Sequence, residues 1–121
     1  MIAGIYNIFC EQGTTFSRSF ELQFPDEVDP TIFYNFDLTN YTARMQVRRT
    51  MESTTPMIEL TTENGGITVE GPEGRIMVMM TDTQTSALTS SGVYDLEIIS
   101  SEGNVSRLVQ GEFKLSLEVT R

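Results

Sequence analysis

Apolar side chains recur at every second position along most of this chain, the spacing of extended strands that bury one face. From Phe16 to Phe24 the even positions read Phe16, Arg18, Phe20, Leu22 and Phe24, and the odd positions read Ser17, Ser19, Glu21 and Gln23. One strand with one buried face, interrupted by Arg18, is the expectation. The alternation returns from Tyr41 to Val47, with Tyr41, Ala43, Met45 and Val47 on one side and Thr42, Arg44, Gln46 and Arg48 on the other. Shorter ladders follow: Ile58 and Leu60; Ile67 and Val69; Ile76, Val78 and Met80; and Tyr94, Leu96 and Ile98. The last run is the longest. Arg107, Val109, Gly111, Phe113, Leu115, Leu117 and Val119 share a face, with Leu108 the large apolar residue on the other, and Gly111 predicts a bulge or a close backbone approach. Glu63-Asn64-Gly65-Gly66 and Gly71-Pro72-Glu73-Gly74 separate neighbouring ladders and read as hairpin turns.

Only Asp82 to Leu88 looks helical, with Asp82 as the expected N-cap, and it is too short and Thr-rich for more than a connector between sheets. With no helix able to cover a sheet, sheet must pack on sheet. The pattern therefore predicts an all-β, immunoglobulin-like antiparallel β-sandwich of about eight strands with one short helical connector, a small barrel being the alternative. No linker or repeat divides the chain, so residues 1–121 form a single domain.

One stretch breaks the alternation. Residues 25–36, beginning at Pro25 and ending at Phe36, hold two prolines, three acids and then Ile32, Phe33, Tyr34 and Phe36. It reads as a long irregular loop. Connections of this length are usually functional, and its apolar residues must be covered by the sandwich or by a partner. Ile32, Phe33, Tyr34 and Phe36 are therefore the candidate partner interface.

Composition narrows the chemistry. The chain has 121 residues, 8 basic and 17 acidic, for a net charge of −9, with no His, no Trp and one Cys. Histidine-based triads, histidine-ligated metals, Cys-rich zinc sites and internal disulfides are excluded. The acidic balance argues against nucleic acid or an anionic membrane as partner. Arg44, Arg48 and Arg49 are the sole basic concentration and read as a solvated strand face rather than a phosphate site. No apolar run is long enough to span a membrane, and Met1 to Tyr6 carries no signal-peptide pattern, which points to synthesis in a reducing cytoplasm. Asp26, Glu27 and Asp29 match no dedicated calcium loop and are too crowded for a glycosidase pair, so a solvated acidic turn is the simpler reading. Cys10, without a basic neighbour in sequence, reads as a small buried hydrophobe. No catalytic residue, metal or cofactor is expected.

Tyr6-Asn7-Ile8, Gln12 to Phe16 and Phe36-Asp37-Leu38-Thr39-Asn40-Tyr41-Thr42-Ala43-Arg44-Met45-Gln46-Val47-Arg48 resemble the opening of a group of tailed-bacteriophage structural proteins. Ile58 to Ile67, Gly92 to Glu97 and the ending from Arg107 to Arg121 resemble the remaining strands of that domain, which is similar to the N-terminal domain of siphophage upper baseplate proteins. The resemblance implies a non-enzymatic virion protein made in the host cytoplasm. It would be an adaptor in the tail, baseplate or fibre-attachment region, present in multiple copies and bound to other virion proteins. Two departures stand out: the long 25–36 segment replaces a short Gly-containing turn, and Asn40 replaces a Gly, which Asn's tolerance of the left-handed region accommodates. The alternatives are a capsid decoration or cement protein, or a carbohydrate-binding module in which Phe33, Tyr34 or Tyr41 stacks on sugar rings.

Overall fold

A computed structural model describes residues 3–120. Met1, Ile2 and Arg121, which the sequence reading includes in its single domain, lie outside the described residues.

Eleven strands and one short helix follow in the order β1 (Gly4–Ile5), β2 (Ile8–Glu11), β3 (Phe16–Glu21), β4 (Gln23–Pro25), β5 (Phe33–Asn35), β6 (Thr42–Arg48), β7 (Ile58–Thr61), β8 (Ile67–Glu70), β9 (Arg75–Met80), α1 (Asp82–Ser86), β10 (Gly92–Ile99) and β11 (Val105–Ser116). The larger sheet runs β1-β11-β10-β6-β7, with β2 also paired to β11, and the smaller runs β3-β9-β8. All pairings are antiparallel except those of β1 and β2 with β11. This partition, with three strands opposite a sheet that carries an extra strand outside β6, is that of an immunoglobulin-like sandwich.

The core lies between the two sheets, and period two explains its membership. Ala43, Met45 and Val47 from β6, Tyr94, Leu96 and Ile98 from β10, and Ile76, Val78 and Met80 from β9 all point inward and are buried, with Ile8, Phe16, Leu60 and Phe113 between them. Cys10 is buried too, and burial pushes its thiol pKa up, with Arg18 opposing and Glu11 adding to the effect.

Several sequence expectations are corrected. The final run does not keep one face. Leu96 pairs with Val109 but Glu97 pairs with Arg107, so Leu108 is an extra residue that bulges and reverses the alternation. Arg107 therefore faces outward while Val109 and Phe113 face the core, and Leu117 and Val119 lie exposed beyond the end of β11. Gly111 marks a close approach rather than the bulge: a Cβ there would collide with the Tyr6 carbonyl oxygen. The Asn64-Gly65-Gly66 turn is not a hairpin, because β7 belongs to the larger sheet and β8 to the smaller. The helix cap is Thr81 rather than Asp82. Its hydroxyl accepts from the Gln84 N–H at 3.1 Å, and its own N–H donates to Gln84 Oε1 at 2.8 Å, a capping box. The helix does connect the two sheets, and its buried Thr85 donates to the Thr14 carbonyl at 2.8 Å, tying the β2–β3 turn in place.

The predicted strand from Phe16 to Phe24 also breaks. Phe16 to Glu21 pairs with β9, whereas β4 pairs only with β5 in a separate two-stranded sheet. The expected irregular loop is thus in large part a hairpin, residues 23–35, with its bend at 26–32.

Candidate partner interface

Leu22 sets the root of the hairpin. Its N–H donates to the Gly74 carbonyl at 2.8 Å, and its carbonyl accepts from the Phe36 N–H at 2.9 Å, so both arms start from the β8–β9 turn. Leu38 N–H adds a third tie, donating to the Gly71 carbonyl at 2.8 Å. Gly74 is required at this junction. It sits at φ +63°, and a Cβ would stand 2.5 Å from the Phe36 carbonyl oxygen and 2.8 Å from that of Leu22.

The segment after the hairpin explains the Asp37-Leu38-Thr39-Asn40 motif. The Asp37 carboxylate accepts from the hydroxyl and N–H of Thr39, which hold its pKa below the usual carboxylate range, in that order of effect. Asn40 adopts φ 66°, as its identity predicted, and fully buried Leu38 anchors the turn in the core.

The bend itself is held by its own acids. Asp26 accepts from the N–H of Asp29 at 2.9 Å, the hydroxyl of Tyr34 at 2.9 Å and the N–H of Val28 at 3.0 Å, and these bonds lower its pKa. Asp29 accepts from the Thr31 hydroxyl at 2.6 Å and N–H at 3.0 Å, with the same consequence. The Asp26 N–H closes the bend on the Ile32 carbonyl at 2.8 Å. Both carboxylates thus stay ionised at neutral pH, which leaves them no proton to donate. Their oxygens are spent on the loop, and among the described residues no three acids gather as metal ligands.

An aromatic chain links tip to body. Tyr34 and Phe24 lie with ring centroids 5.6 Å apart, Phe24 and Phe36 meet edge-on at 6.5 Å, and Phe36 meets Tyr41 edge-on at 6.2 Å. The four predicted interface residues therefore divide. Ile32, Phe33 and Tyr34 are exposed, Phe33 to 58%, whereas Phe36 is half-buried against the core and forms the root. Phe24, 47% exposed, belongs with the exposed group, and sequence reasoning missed it by reading it as the end of a buried face. Pro25 beside it was the available signal: a residue without an N–H cannot continue a paired strand inward, and here it sits on a sheet edge.

The arginine-bearing face of the larger sheet forms an open hollow of about 820 Å³. Arg44 pairs with Glu97 at 2.7 Å and Arg107 with Asp95 at 3.4 Å, while Arg48 donates to the Ser53 carbonyl at 2.7 Å and to Gln46 Oε1 at 2.6 Å. Arg49 reaches only the Thr89 hydroxyl, at 3.4 Å. Arg44, Arg48 and Arg107 are thus matched to acids and carbonyls on the same surface, as a solvated strand face requires. Asp95 within this network has a raised pKa, chiefly from burial and secondarily from Glu97, against the opposing pull of Arg107, Arg44 and Arg48.

No family model matches the chain, and no curated protein does. Similar solved structures include the first Ig-like domain of the human CD48 antigen, at 9% identity over 98% of this chain and 88% of that one, with a TM-score of 0.43. A structure from a study of cell-adhesive interactions of VGSC beta subunits has 14% identity over 98% and 95% of the two chains, also at 0.43. Murine CRIg has 9% identity over 91% and 92%, at 0.40. The assignment of an immunoglobulin-like sandwich rests on the strand order described above.

Proposed function

We propose that this chain is a non-enzymatic structural module of a tailed-phage particle, an adaptor of the tail, baseplate or fibre-attachment region that docks neighbouring particle proteins through its 23–35 hairpin. The observation that carries the docking role is the exposure of Phe24, Ile32, Phe33 and Tyr34 on a hairpin held out from the body by its Leu22 root. An apolar side chain left half in water forgoes roughly 1 kcal/mol of burial. A partner that covers all four recovers that energy, and the bonded bend and aromatic chain present the surface already ordered, so little entropy is lost on docking. The phage assignment draws on the sequence resemblance across Phe36 to Arg48 and the later strands.

The experiment is particle assembly with the chain carrying Phe33→Ser and Tyr34→Ser. The variant is expected to fold and to be lost from particles. Incorporation at the normal level would remove the hairpin from the interface, and absence of the unaltered chain from every particle would overturn the phage reading. Labelling on the head instead of the tail would favour a cement protein. Of the three rings named for sugar stacking, Phe33 and Tyr34 are exposed, whereas Tyr41 is packed edge-on against Phe36; binding on a glycan array would favour that alternative.

A further inference from the structure

The two main sheets expose four principal strand edges, and their backbone groups are treated differently. At β7 the Asn64 carboxamide imitates a neighbouring strand: Nδ2 donates to the Glu59 carbonyl and Oδ1 accepts from the Thr61 N–H, both at 2.9 Å. At β2, Arg18 Nη2 donates to the Phe9 carbonyl at 3.1 Å, and Thr14 donates its hydroxyl at 2.7 Å and its N–H at 3.3 Å to the Glu11 carbonyl. At β8 the two residues whose backbone groups point outward are covered in part, Ile67 being 2% exposed and Val69 half-buried, which limits the approach of a new strand. These are the usual protections against unwanted strand pairing.

The outer edge of β3 lacks such protection. The Leu22 N–H reaches the Gly74 carbonyl, which fixes the alternation: even-numbered residues of β3 aim their backbone groups at β9, and Ser17, Ser19 and Glu21 aim theirs away. All three residues are exposed. Among the described residues, the one bond made to these outward groups is a long one, from Arg18 Nη1 to the Ser17 carbonyl at 3.3 Å.

We propose that this edge pairs with the same edge of a second copy of the chain, antiparallel and centred on Ser19. The register is self-complementary, as a two-fold interface demands. Ser19 meets Ser19, and Ser17 meets Glu21 of the second copy, so each pair exchanges both backbone bonds and no two acids stand opposite one another. On the inner face Arg18 meets Phe20 of the second copy, a cation-π pairing of the kind Arg18 already makes 5.0 Å from the Phe16 ring centroid. Charge selects this edge over the hairpin. β3 carries one base, Arg18, and one acid, Glu21, on a chain of net charge −9, whereas hairpin residues 23–35 contain three acids and no base. Two acidic hairpins repel; two β3 edges do not. The smaller sheet would then run unbroken through both copies. This inference is independent of the phage assignment.

Sedimentation equilibrium over rising concentration tests it, together with amide exchange on the unaltered chain. The expected mass climbs from 13.6 kDa towards twice that value, and the amides of Ser17, Ser19 and Glu21 become protected as it does. Ser19→Pro removes the two symmetric bonds at the centre and raises the dissociation constant about 30-fold. Ser19→Lys sets like charges face to face and also weakens the pair, while Ser19→Thr keeps the N–H and stays within about threefold. A monomer at every concentration, or a dimer in which those three amides exchange freely, overturns the proposal. The exchange measurement decides the matter even where the proline variant does not fold.

Discussion

The sandwich body and the 23–35 hairpin are both built from paired strands rich in apolar side chains and end in opposite environments. In β6 every second residue is covered by the facing sheet, so Ala43, Met45 and Val47 are buried. In β4 and β5 every residue is exposed, although Phe24 and Phe33 are as apolar as anything in the core. The difference lies in what stands opposite. The body has a second sheet about 10 Å away, as packed sheets do, and the hairpin has none. Apolar side chains on a strand therefore report that a surface needs covering and say nothing about which molecule covers it.

That contrast can be broken from the body first. Phe113→Ala removes a ring with no exposed surface at the centre of the core and should cost about 3–5 kcal/mol, read from chemical denaturation. Gly74→Ala attacks the junction. An alanine there must adopt φ +63° and collide with the carbonyls of Phe36 and Leu22, for about 2 kcal/mol or more, with loss of the Leu22 amide's protection from exchange. Phe33→Ser with Tyr34→Ser strips the exposed tip and should cost about 1 kcal/mol or less, since it forfeits one aromatic pair and one exposed hydrogen bond. If that double variant unfolds the protein, the hairpin belongs to the core and the contrast fails.

The smallest expected effect is a titration. Asp26 and Asp29 have pKa values below the ordinary 3.8, so their contribution to the bend is complete above that value and lost as the pH falls through the lower values of the folded state. Asp95 on the body has the opposite sign. Its raised pKa means that the ionised form weighs against folding, a penalty that sets in as the pH rises through the folded value and vanishes below 3.8. On acidification the amide resonances around Asp95 in β10 and its β6 partner Gln46 should therefore shift first, and those of Val28, Asp29 and Thr31 only below pH 3.8.

Much of the body was legible in the sequence because burial and alternation coincide there. The apolar positions of β6, β9 and β10 identify the inward faces correctly, and the absence of a long helix implies two packed sheets. What was not legible depends on backbone pairing, which leaves little trace in residue type. Leu108 bulges because β10 and β11 slip by one residue, and leucine carries no mark of it. The strand ends at Glu21 because Leu22 turns its bonds to Gly74 and Phe36, contacts distant in sequence. Asn64 was read as a turn residue, and its role in closing the β7 edge depends on where Glu59 and Thr61 lie. At the candidate interface the sequence located the segment and three of the exposed residues, grouped half-buried Phe36 with them and left out exposed Phe24, because the aromatic chain from tip to core runs through space rather than along one face.

The measurement that bears most directly on the hairpin's role is a cryo-EM map of the assembled particle containing this chain. The account predicts protein density packed on Phe24, Ile32, Phe33 and Tyr34, with the bend at 26–32 in its bonded form. A hairpin standing in solvent on a fully occupied copy of the chain would contradict it.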